Sequence, residues 1–204
     1  MTPYSLAFYM DVITTGTVLG LDPTDSPDRV TAVLGEKFAE NRFGAHSLHR
    51  DYGLAEFSWH RDAPGRAWSG HHIALQVHRL ARRDRTLPNE AIRARYGRFA
   101  PRLRFEKVQR LLRRRGIALQ EIPEIPANAP YYRTFWQPDS RVAVSVIGMH
   151  GEYSTPDHLQ VGDVYSIVTP MTTEEVERRG HGPAAGCPRT DRPERRDRPA
   201  GEEA

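Results

Sequence analysis

The chain has 204 residues, room for one domain of about 150 residues plus tails. Hydrophobic residues make up 38% of it, and counting the glycines as well brings it near the ~45–50% of folded domains. The formal net charge is only +3, a single cysteine (Cys187) excludes an internal disulfide framework, and no apolar run approaches the roughly 18 residues of a membrane span.

The N-terminal MTPYSLAFYMDVITTG has no early Lys or Arg, and Asp11 interrupts its apolar residues. A secretory signal is therefore not expected, and the cytoplasm is the expected compartment. Within this segment Leu6, Phe8, Met10 and Val12 alternate, while Leu6, Tyr9, Met10 and Ile13 fit helical spacing; a helix over Ser5–Thr14 is preferred. In LDPTDSPDRVTAVLG, Ser26 is placed to cap a helix with Pro27 at its first position and Asp28 at the positive end of its dipole. Val30, Val33 and Leu34 make one face, and Gly35 stops it.

Residues 46–52 and 54–60 read as strands around a Gly53 turn. Ala55, Phe57 and Trp59 fall on one face, and Glu56, Ser58 and His60 on the other. DAPGRAWSG is turn chemistry. His71–Leu80 alternates again, with Ile73, Leu75 and Val77 inward and His72, Gln76 and His78 outward, which makes a meander. Residues 81–101 are polar, interrupted by Pro88 and Pro101, and predict an arginine-rich connection with one helical turn. RLRFEKVQRLLRRRG predicts a helix burying Phe105, Val108, Leu111 and Leu112 and ending at Gly116. IALQEI reads as a short strand. Tyr131–Trp136 and Arg141–Ile147 flank the QPDS turn as a second hairpin, Gly148–His158 is a long loop, and GDVYSIVTP supplies a last strand.

Runs of strands punctuated by a few helices predict an α+β fold: a mostly antiparallel sheet of two meanders with two or three helices on one face. One domain is expected over residues 1–173. Residues 174–204 mix Pro, Gly and both charge signs and predict a disordered tail after a short helical start.

Three histidines, His60, His72 and His78, fall on the polar face beside Glu56, and such a set has the donor types for zinc. No HExxH or CxxC spacing accompanies them, so solvated strand histidines are the preferred reading, with no metal and no other cofactor expected. Asp51, Glu56, Asp157 and Asp163 sit near strand ends, where turns ordinarily use Asp. Cys187 lies in the tail, the wrong place for a preorganised nucleophile.

Charge is more informative. Residues 81–115 hold thirteen basic and three acidic residues, a net +10, which leaves −7 for the rest. This asymmetry points to an anionic partner, either nucleic acid or an acidic protein face. Only Tyr96 and Phe99 in the segment are placed to stack on bases, and a solvated helix whose arginines pair with the body's own carboxylates is preferred. Interface anchors tend to be exposed aromatic or Arg residues. By that criterion the candidates are Trp68 in its Pro-Gly-rich turn, Tyr153 in the long loop, and Arg102, Arg110, Arg113 and Arg114. Of the 29 basic residues only Lys37 and Lys107 are lysines, which reads as coding bias before it reads as bidentate anion recognition.

Over roughly residues 10–80, the succession of LGLDPTDSPDRVTAVLG, the hairpin RDYGLAEFSW and the later meander resembles small bacterial immunity proteins of polymorphic toxin systems. The resemblance implies an α+β domain that binds and blocks a cognate toxin without catalysis. It carries over no partner-binding residue, because those vary widely in such proteins. The basic segment departs from the acidic character of inhibitors of basic nuclease toxins. The expectation is a non-catalytic protein-interaction domain. The alternatives are a nucleic-acid-associated domain using the basic helix 102–115 and a His-metal enzyme.

Overall fold

The computed structural model describes residues 4–82, 87–151 and 159–180. Eight strands form one antiparallel sheet: β1 (Ala39–Phe43), β2 (Ser47–Asp51), β3 (Ala55–His60), β4 (Ser69–Leu75), β5 (Gln120–Ile122), β6 (Tyr132–Gln137), β7 (Val142–Ile147) and β8 (Val164–Thr169). Their order is β1-β2-β3-β4-β8-β7-β6-β5, so two meanders meet at β4 and β8. Five α-helices accompany them: α1 (Tyr4–Thr15), α2 (Pro27–Leu34), α3 (Glu90–Tyr96), α4 (Phe105–Arg114) and α5 (Thr173–Gly180). The α+β class expected from the sequence is the one observed.

Helices α1 to α4 bury their apolar residues against one face of the sheet. Phe8, Met10 and Ile13 of α1, Val30 and Leu34 of α2, Ile92 of α3 and Val108 and Leu112 of α4 share one core with Leu48, Phe57, Trp59, Leu75, Val144 and Ile167. Helix α1 is apolar on nearly all sides because α3 and α4 flank it while the sheet lies beneath. Helix α5 packs on the opposite face, where Val176 and Met171 meet Ile122, Trp136 and Ala143. The helical start expected of the tail is this helix; the rest of the expected tail, with Cys187, lies outside the described residues. The count of helices on the first face is thus four, with a fifth on the other.

Local chemistry explains the elements. The Ser26 hydroxyl accepts from the Arg29 N–H and caps α2, as the sequence predicts. Asn89 caps α3 through its side-chain oxygen to the Ala91 N–H, and its amide donates to the Leu34 carbonyl, fixing α3 to the end of α2. That second tether has no local sequence signature, which is why two full turns of helix stand where one turn was expected. Gly53 adopts φ +89° in the β2–β3 turn, a conformation that favours glycine.

One expected element is corrected. The strand expected over His71–Leu80 ends at Leu75, and Val77–Arg82 forms a 3-10 helix. The Arg79 N–H bonds to the Gln76 carbonyl, and Val77 and Leu80, three apart, both turn into the core. Val77 satisfies alternation and this shorter repeat equally, so periodicity could not separate them. His78 consequently leaves the strand face. A second difference is β1, which the sequence reading did not contain. All five of its residues are exposed, so it carries no buried stripe to read, and it exists by pairing with β2 alone.

The two meanders are related by an approximate two-fold axis normal to the sheet through the Ala74–Val168 pair, with Ile73 opposite Thr169 on one side and Leu75 opposite Ile167 on the other. Each half is a helix (α2 or α4) followed by four strands. Each half also has its register shift in the same place, between Ser58 and Trp59 in β3 and between Ser145 and Val146 in β7. By this equivalence the polar row His49–Ser58–His72 corresponds to Thr134–Ser145–Ser166.

Candidate functional site

The basic segment divides into arginines that build the molecule and arginines that face outward. Arg102 belongs to the first group. Its Nε donates to Asp163 Oδ2 at 2.6 Å and its Nη2 to Gln160 Oε1 at 2.6 Å. Arg104 adds bonds to Asp163 Oδ1 and to the Val161 carbonyl. Asp163 is 0% exposed and also accepts the Gln160 N–H at 2.9 Å. A buried carboxylate needs such partners, and together they stitch the approach to α4 onto the start of β8. Arg102 is therefore a structural tether. The sequence could not show this, because the two ends of the tether are far apart along the chain.

Helix α4 holds the second group. It buries Phe105, Val108 and Leu112, Phe105 stacking on Phe135 at 4.2 Å. Three- and four-residue spacing then brings Arg110, Arg113 and Arg114 together on the solvent side, lining a shallow groove with Glu106 and Gln109. All three arginines are exposed, and none has a carboxylate partner among the described residues. Arg113 and Arg114 also lie in the last turn, where the helix dipole favours cations.

The aromatic candidates are drawn into packing. Trp68 is half-buried against the core, with the Arg61 guanidinium 4.2 Å from its ring centre. Tyr96 is buried, donates its hydroxyl to Asp11 Oδ2 at 2.8 Å, and meets Phe8 edge-on. Phe99 packs edge-on against Phe8 and Tyr9. Tyr96 is thus closed to a base, and Phe99 is half-buried in the same aromatic cluster. Tyr153 lies outside the described residues.

The histidines named as a metal set do not assemble. His60 is exposed at the end of β3 and stacks loosely on His46 at 6.2 Å. His72 is half-buried on β4. His78, in the 3-10 helix, stacks on Tyr165 at 4.3 Å. Among the described residues no group of three His, Cys, Asp or Glu side chains is placed to hold a metal ion. Burial lowers the pKa of His72 and, to the same sign, of His78; for His72 the neighbouring His71 adds to the effect and Glu56 opposes it.

A cluster the sequence reading missed lies on the open face of the first meander. His49 Nδ1 is 3.1 Å from the Ser58 hydroxyl, and its Nε2 is 3.8 Å from Glu56 Oε2. The order hydroxyl–imidazole–carboxylate is that of a nucleophile with its base. Here, however, Glu56 bonds to Arg79 and accepts from Gln76 Nε2 at 2.5 Å, while Arg79 also holds Asp51 at 2.8 Å and the Gly53 carbonyl at 2.9 Å. Ser58 sits in a strand paired with β2 and β4, just before the register shift at Trp59. The cluster ties the 3-10 helix to the β2–β3 hairpin.

The chain matches no protein-family model, no curated protein and no solved structure. Among the described residues no helix is long and apolar enough to cross a membrane.

Proposed function

We propose that the protein is a non-catalytic, cytoplasmic interaction domain that neutralises a bacterial toxin by docking the basic face of α4 onto an acidic surface of it. The observation that carries this reading is the division among the arginines. Arg102 is tied to Asp163, whereas Arg110, Arg113 and Arg114 stand exposed with no carboxylate partner among the described residues. Three cations held on one rigid helix face keep part of their potential for a partner, and charge complementarity sets association rate and partner choice. The likeness of residues 10–80 to immunity proteins supports the toxin class of partner. A basic docking face is the expected complement of an acidic toxin and not of a basic nuclease.

The test is co-purification with the product of the adjacent gene, repeated with the triple variant Arg110→Ala, Arg113→Ala, Arg114→Ala. The wild-type chain retains that product and the variant loses it. Retention by both would remove α4 from the interface.

The same arginines support a second reading, nucleic-acid binding. Duplex binding through them would weaken by about 0.9 log units per log unit of salt for each phosphate neutralised. The engagement of Tyr96 and Phe99 in the core argues against single-strand stacking. Absence of duplex binding at ~50 mM salt, where electrostatic attraction is strong, excludes it.

A further inference from the structure

We infer that the protein forms a symmetric dimer by pairing β1 with β1 of a second copy, continuing the sheet across the joint. The two edges of the sheet are treated differently. At one edge, β5 has only three residues, α5 packs on the adjoining face, and Arg179 reaches Glu124 just beyond the strand. At β1, all five residues are exposed, and Phe43 at 69% is the most exposed large hydrophobic of the described residues. An exposed strand edge presents backbone donors and acceptors to another strand.

The sequence of β1, Ala-Glu-Asn-Arg-Phe, is complementary to itself when read antiparallel about Asn41. A two-fold axis through Asn41 sets Glu40 of one copy opposite Arg42 of the other, twice. On the other face it sets Ala39 opposite Phe43, twice, and Asn41 opposite itself. Cross-strand pairs of opposite charge, and of apolar with apolar, stabilise an antiparallel joint. The faces match as well. Glu40 accepts from Arg42 Nε of its own strand and from Arg50 Nε, each at 2.9 Å, and Arg50 reaches the Pro27 carbonyl of α2. Glu40 and Arg42 therefore lie on the helix side, where a second copy's pair would extend this charge cluster across the joint. A two-fold axis normal to the sheet keeps helix side with helix side. The Asn41 side chain makes no hydrogen bond among the described residues and is free to meet its own copy. Such an interface is isologous and closes at two copies. Helix α4 packs over β6 of the far meander, so both basic faces stay open in the dimer.

A single five-residue strand pair is a small joint, so sedimentation equilibrium of the full chain should span about 1 µM to about 1 mM. The wild type is expected to pass from monomer to dimer in this range. Glu40→Arg alone sets four arginines around the joint, Arg42→Glu alone sets four glutamates, and each is expected to remain monomeric. An equimolar mixture of these two variants is expected to form a heterodimer, because each charge then meets its opposite. Asn41→Lys, which leaves the Glu40 bonds intact, places two like charges at the axis and is expected to be monomeric. The inference is overturned if the wild type stays monomeric to about 1 mM, if either charge reversal or Asn41→Lys dimerises like the wild type, or if the mixture does not associate.

Discussion

Asp163 and its arginines show how a charge can belong to the fold and not to a surface. Asp163→Asn removes the charge while leaving Arg102 and Arg104 in place, and it should cost about 2–3 kcal/mol, below the range for a fully buried pair because both arginines reach solvent. Urea denaturation measures this, and an unchanged midpoint would contradict the tether. Trp68 behaves similarly. Its ring lies against the core and under Arg61, so Trp68→Ala should lower stability by about 1–2 kcal/mol, less than truncation of a fully buried aromatic. If stability holds and partner affinity falls, the ring is an interface anchor after all. His72 gives a pH dependence of definite sign. Burial sets its folded pKa below the unfolded value of about 6.5, so protonation favours the unfolded chain. The stability it contributes is present above about pH 6.5 and is lost as pH falls through the lower folded value. Thermal unfolding between about pH 7 and pH 5 should therefore fall less steeply in His72→Gln than in the wild type; parallel curves would contradict this.

At the level of elements, α4 separates packing from binding. Its apolar stripe holds the sheet, and its arginine face makes no described ion pair, so the Arg110, Arg113 and Arg114 triple alanine variant should keep the wild-type unfolding free energy within about 1 kcal/mol in urea denaturation, the loss being that of favourable dipole contacts. A larger drop would mean that these arginines belong to the core's support. Elements with a buried stripe or a cap could be read in the sequence: α2 from Ser26-Pro27 and Gly35, β3 from Ala55, Phe57 and Trp59, and α4 from Phe105, Val108 and Leu112. Those that depend on a distant partner could not. Strand β1 has no buried residue, α3 is fixed by the Asn89 bond to Leu34, and Val77 fits two periodicities at once. The candidate site followed the same rule. The exposed arginines of α4 were legible from helical spacing, whereas the removal of Arg102 by Asp163, and of Tyr96 by Asp11, came from contacts across the fold.

For the whole molecule, one core joins the two meanders: residues of α1, α2 and α4 and of both halves of the sheet are contiguous within it. The pseudo-symmetric halves should therefore unfold together. Tryptophan fluorescence and far-ultraviolet circular dichroism should report one coincident transition in denaturant, and two separated transitions would mean that the halves are independent. The architecture holds α4 rigidly on this single body with its cations outward, and the proposed neutralising role depends on that presentation. The most direct measurement is growth of host cells expressing the adjacent gene product together with this protein, either wild type or with Arg110, Arg113 and Arg114 replaced by alanine. The account predicts survival with the wild type and death with the folded triple variant; equal death with and without the wild-type protein would contradict it.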